Sequence, residues 1–136
     1  MREDNNKKYG TRDKESRTHY TYNKDGVLKR NMKEEEYQKF LLETTESLVK
    51  DQLAFISKTQ MRNIFDLIRN CNEVNELKMI KPKLLYTAGR LTKKYDKQFL
   101  VDLSTTVAEV KSKEELQCVQ KYIETVLAYH KFYAKN

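Results

Sequence analysis

Three glycines and a single proline are the only backbone punctuation in this chain of 136 residues. Glycine and proline supply most of the tight-turn geometries that a many-stranded protein needs at each reversal. A chain this poor in them must spend its residues in long runs between few turns, and long helices are the consistent solution. The length suffices for one domain with one modest hydrophobic core.

Apolar spacing locates the runs. Tyr37, Phe40, Leu41, Thr44 and Leu48 recur at intervals of three and four and predict a first helix from about Lys33 to Gln52, with Glu34, Glu35 and Glu36 suited to the positive end of its dipole. Ser57-Lys58-Thr59-Gln60 has the form of a capping box and opens a second helix to about Asn70, with Met61, Ile64, Phe65 and Ile68 as its buried stripe. A third helical segment covers roughly Leu77–Tyr95. Pro82 lacks an N–H and belongs in a first turn, so the main helix should start there and Glu76–Ile80 should form a short turn of its own. Leu84, Ala88, Leu91 and Tyr95 line its inner face. Gly89 in its middle implies a close approach, by another helix or by a phosphate backbone. A fourth helix is expected from Lys97 to Lys111, capped by Asp96, with Phe99, Leu103, Val107 and Val110 facing inward. Ser112-Lys113-Glu114-Glu115 then opens a fifth to Tyr133, with Leu116, Val119, Ile123, Val126, Leu127 and His130 buried. The expected fold is an all-α, compact bundle of about five helices over residues 33–136, with short connections.

Residues 1–32 read differently. They are polar, with isolated Tyr9, Tyr20 and Tyr22 and almost no aliphatic side chains before Val27. They carry nine Lys and Arg against five Asp and Glu, more than half of the chain's formal charge of +7. So little apolar surface does not offset ordering entropy, and the segment is expected to be a flexible basic arm.

Cys71 and Cys118 lie far apart inside helical patterns and read as free thiols in a reducing compartment. With His19 and His130 they form no metal-ligand spacing, so neither a metal nor another cofactor is expected. No apolar run approaches the ~20 residues that span a bilayer. The opening Met1-Arg2-Glu3-Asp4 has no apolar segment behind it, and a cytoplasmic protein without membrane contact is expected.

No catalytic pattern appears: no G-x-S-x-G, P-loop, G-x-G-x-x-G or H-E-x-x-H, and Asp66, Asp96 and Asp102 are scattered. The basic residues are better organised. Lys58, Arg62 and Arg69 share a stripe on the second helix, beside Phe65. Lys83, Tyr86, Arg90, Lys93 and Lys94 gather opposite Leu84, Ala88 and Leu91 on the third, with Lys78 and Lys81 in its entry turn. Were the two helices neighbours, Arg62 and Arg90 would project into one cationic trough that takes phosphates, with Tyr86 placed to stack on a base or ribose. The same charges also fit simple solvation of a helical surface, and composition does not decide between the two.

Gln60-x-Arg62-x-x-Phe65, followed by Lys81-Pro82-Lys83-Leu84-x-Tyr86-x-Ala88-Gly89-Arg90, resembles the small subunit of type III-A (Csm) CRISPR interference complexes over roughly residues 34–134. That resemblance implies a compact helical bundle, several copies of which stack along a ribonucleoprotein. It implies contact with the other Csm subunits, large and backbone, and a non-catalytic role lining the channel for target RNA paired with guide RNA. It carries Arg62, Lys81, Lys83 and Arg90 into the RNA-facing role; Lys58, Arg69, Lys78, Lys93 and Lys94 rest on the helical-face argument alone. The rival expectation is a structural scaffold without direct RNA contacts.

Overall fold

In the computed structural model, residues 20–135 are described, and among them every regular element is helical. The expectations for residues 1–19, including Tyr9 and His19, lie outside the described residues. The elements are α1 (Lys24–Leu28), α2 (Glu34–Lys39), a π-helical turn (Phe40–Thr44), α3 (Thr45–Gln52), α4 (Lys58–Arg69), α5 (Val74–Lys78), α6 (Lys81–Arg90), α7 (Lys94–Ala108) and α8 (Lys113–Tyr133). α2, the π turn and α3 run on as one rod, so five long helical spans stand where five were expected.

The inward stripes are those the spacing predicts. Met61, Ile64 and Ile68 are almost wholly buried on α4, as are Phe99, Leu103 and Val107 on α7 and Leu116, Val119, Ile123 and Val126 on α8. On the first rod Thr45, rather than Thr44, faces the core, and its hydroxyl donates to the Phe40 carbonyl, which also accepts the Thr45 N–H across the π turn. Capping holds the starts: Ser57 and Gln60 bond reciprocally on α4, and Ser112 accepts from the Glu115 N–H on α8. The central element is α8, which packs on α1, α3 and α4, while α6 folds back on α7.

Three expectations are corrected. First, residues 20–32 do not behave as an arm. Val27 and Leu28 are buried in the core, and α1 is capped by Asn23, whose side chain accepts from the Asp25 and Gly26 N–H groups. Lys29 then closes α1 in the left-handed conformation, φ 55°. Gly26 is required here: a Cβ would stand 2.5 Å from the Phe40 ring. The strap is tied down by long-range polar contacts. Tyr20 donates to Asp102 at 2.7 Å, Tyr22 bonds Thr106, Lys24 pairs with Glu109 at 2.9 Å, and Arg30 grips Glu115 at 2.6 Å and the Glu109 carbonyl at 3.0 Å. The rings add to this, Tyr20 stacking on Tyr95 and Tyr22 meeting Phe99 and Tyr122 edge-on.

Second, the helix through Pro82 stops at Arg90, because Leu91 is extended (ψ 152°) and turns its side chain into the core. Lys93 and Lys94 therefore leave that helix for the start of α7. Third, Asp96 is not a cap. It lies in the first turn of α7, buried, with its Oδ1 unpartnered. Burial pushes its carboxyl up from 3.8 to about 6.

Candidate nucleic-acid interface

Burying Met61, Ile64 and Ile68 fixes the rotation of α4 about its axis. What is left outside follows: Lys58, Arg62, Phe65 and Arg69, spaced four, three and four residues apart, form the shoulder beside α8. Phe65 is 8% exposed, and its ring lies under two guanidinium groups, Arg62 at 5.6 Å and Arg69 at 5.8 Å. The ring face attracts both cations and holds their planes over the surface. Arg62 also reaches Asp66 at 3.5 Å, but both side chains are about half exposed or more. Such exposed pairs are worth ~0.2–1 kcal/mol and exchange readily for a phosphate.

The opposite bank is the outer side of α8. Gln117, Lys121, Glu124, Ala128 and Lys131 repeat at four, three, four and three, and line a groove with Arg62, Phe65 and Arg69. At its far end Lys58, Leu127 and His130 complete the wall. Five cations (Lys58, Arg62, Arg69, Lys121 and Lys131) thus face one lining carboxylate, Glu124. Lys58 and Arg69 stand about 16 Å apart along their helix, and Lys121 and Lys131 about 15 Å along theirs. The banks are locked together where Gln120 donates to the Cys71 carbonyl at 2.8 Å and the Ile68 carbonyl at 3.2 Å, closing the C-terminus of α4. His130 is a wall residue. Its Nε2 donates to the Ile56 carbonyl at 2.8 Å, and burial lowers its pKa, so it stays neutral.

The other expected site residues stand elsewhere. Neither groove wall holds a residue of α6, and α4 and α6 are not among the principal packing pairs, so Arg62 and Arg90 do not share a trough. Arg90 lies over the Tyr86 ring at 5.8 Å, on the outer face of α6, where Tyr86 is 68% exposed. Lys83 lines a cleft on the other shoulder of α4 with Asn63, Asp66 and Glu76, where two carboxylates offset its charge. Lys78 and Lys81 are exposed at the end of α5 and the start of α6. Lys93 is drawn over Phe55 at 5.1 Å and Lys94 over Tyr95 at 5.5 Å. Gly89 has nothing within 4 Å of where a Cβ would stand, so no helix among the described residues explains it.

Lys121 and Lys131 were not singled out in the sequence, though their stripe keeps the same four–three period as the one on α4. Among the described residues no three His, Cys, Asp or Glu side chains gather as a metal site, and no helix is long and apolar enough to cross a membrane. Both cysteines are free, Cys71 buried and Cys118 half-buried.

The family model described as Csm2 Type III-A matches residues 34–136. The chain belongs to the Csm2 family of type III-A systems. It is therefore a small-subunit component of a type III-A CRISPR effector complex and has the other Csm subunits as partners. No curated protein and no solved structure matches significantly. The Csm2 match starts at the first residue of α2, so the strap that completes the core precedes it.

Proposed function

We propose that this Csm2-family subunit is a non-catalytic RNA-binding module whose α4/α8 groove holds the phosphate backbone of target RNA paired with guide RNA. The observation that carries this reading is the excess of solvent-facing cations in that groove, two of them spread as guanidinium planes over Phe65. Forked Arg donors and Lys point charges suit phosphate oxygens, and a contact made to backbone alone leaves sequence recognition to base pairing. Lys81, Lys83, Tyr86 and Arg90 form a second contact region on α6, served by the same strand or by a neighbouring copy in a cytoplasmic ribonucleoprotein. Lys78, Lys93 and Lys94 flank that region.

The test is RNA binding across a salt series, by the isolated chain and by the assembled complex. Arg62→Ala/Arg69→Ala removes two phosphate contacts and should flatten the log–log salt slope by about 1.4, at ~0.7 per contact on a single strand. Arg90→Ala, tested separately, reports on α6. A double variant that keeps both the wild-type slope and the wild-type affinity takes the groove out of the contact surface.

A second reading, the scaffold without RNA contacts, is favoured by the outer side of the α5–α6 region, where Met79, Leu85 and Tyr86 are 72, 40 and 68% exposed. An apolar patch of this kind suits a protein neighbour. On that reading Leu85→Glu breaks assembly, while both arginine variants leave RNA affinity alone.

A further inference from the structure

Resting on the groove reading above, we propose that Phe132 is a base-stacking platform, so that the site takes an unpaired nucleotide as well as a run of phosphates. Phe132 is 80% exposed, more than any other large apolar side chain among the described residues. It sits in the last turn of α8, next in sequence to the groove-lining Lys131 and outside the groove's own lining. It follows Lys131 directly and stands four residues beyond Ala128 and eleven beyond Lys121, which places it on the same side of the helix as both.

The ring is held in place. Tyr133 meets Phe132 edge-on, with ring centroids 4.9 Å apart and planes at 88°, and the Tyr133 hydroxyl donates to Glu46 at 2.7 Å. The chain just beyond is pinned as well: the Lys135 N–H donates to the Ala54 carbonyl at 2.9 Å and the Ala134 N–H to the His130 carbonyl at 2.8 Å. With 80% of its surface exposed and Tyr133 packed against it, Phe132 is both accessible and positioned.

The surroundings choose the occupant. A greasy protein surface seated on Phe132 would strand the adjacent Lys131 without counter-charge. A nucleotide strand supplies a phosphate to each cation and a π face to the ring, the pairing on which sequence-tolerant single-strand sites are built. Phe65, already under two guanidinium groups, is closed to a base, which leaves Phe132 as the stacking surface of this groove.

The experiment compares two polyanions, a twelve-residue oligouridylate and inorganic polyphosphate, on the full chain and its variants. Phe132→Ala should weaken oligouridylate binding about 5- to 150-fold, from a stacking contribution of ~1–3 kcal/mol. Polyphosphate affinity should not change. Phe132→Trp should restore RNA binding. The chain has no tryptophan, so the introduced indole reports alone: its fluorescence should be quenched by oligouridylate and not by polyphosphate. Equal loss for both polyanions, or an indole blind to RNA, overturns the stacking role. If the arginine pair still governs affinity in that case, the groove survives without its platform. If the arginine pair fails too, both ideas fall.

Discussion

The strap side and the groove side of this molecule use the same residue types to opposite ends. On the strap, Lys24 meets Glu109, Lys29 meets Glu34, and Arg30 meets both Glu115 and a backbone carbonyl. Across the molecule, Lys58, Arg69, Lys121 and Lys131 make no ion pair among the described residues, and Arg62 makes one loose pair. Paired cations of the first kind serve the fold: the partners of Lys24 and Arg30 lie 85 positions away in sequence and tie the strap to the end of α7 and the first turn of α8. The cations of the second kind are held, where they are held at all, by a ring face or one loose exposed pair, and a polyanion satisfies them at little desolvation cost. The groove therefore gathers on one surface several cations that the fold leaves without a close ion pair.

The largest effect that would break this comparison is on the strap. Leu28→Ala should cost about 2–5 kcal/mol, the range for emptying a fully buried leucine site, read as a lower denaturation midpoint. Gly26→Ala should destabilise as well, because Phe40 must move. If Leu28→Ala unfolds no earlier than the parent, residues 20–32 are an appendage and the first half of the contrast is lost.

Next in size is a matched pair of arginine truncations. Arg30→Ala leaves Glu115, 16% exposed, without its partner and should cost about 1–2 kcal/mol of stability with RNA affinity intact. Arg69→Ala should do the reverse, keeping stability within about 0.5 kcal/mol while weakening RNA binding. Similar behaviour of the two would erase the distinction between structural and reserved charge.

Asp96 tests the fold's paired charges from another direction, since it is a buried acid whose Oδ1 has no hydrogen-bond partner and whose burial outweighs the pull of Lys93. Its folded pKa of about 6 lies above its ordinary 3.8, so between these values the folded state holds the proton and the unfolded chain releases it. The stability this proton provides is present below about pH 4 and is lost as pH rises through 6. Asp96→Asn should then raise the melting point at pH 7 by an amount equivalent to about 1–2 kcal/mol, and the gain should vanish at pH 4. A gain independent of pH would point to packing instead of charge.

The parts of the fold that sequence made legible are those governed by local rules. The stripe Met61, Ile64, Phe65, Ile68 and the Ser57–Gln60 box depend only on neighbours within a turn or two, and both stand as read. The strap was not legible as structure, because Tyr20, Tyr22, Val27 and Leu28 are too few to signal a core; their partners come from the far end of the chain. One local sign was present, Asn23 ahead of Lys24-Asp25-Gly26, a capping residue with nothing apolar close by to give it meaning. The groove was half legible. Its α4 bank was read from spacing, but the α8 bank needed the knowledge that these two helices pack together, and α6 was placed beside α4 for want of it.

Gly89 carries the smallest expected effect and the sharpest reading. Gly89 is the next-to-last residue of α6; a helical glycine costs up to about 1 kcal/mol against alanine, and among the described residues nothing lies within 4 Å of where its Cβ would stand. Gly89→Ala should therefore stabilise the isolated subunit by about 0.5–1 kcal/mol, visible as a small rise in melting temperature. With open space where its Cβ would stand, Gly89 is a place where alanine tests for a contact outside the chain. If the stabilised variant assembles or binds RNA less well, the outer face of α6 is a contact surface that needs a bare backbone. If it does both unchanged, the only reserved surface in the comparison is the α4/α8 groove, and the motif around Tyr86 and Arg90 contributes helix and solubility alone.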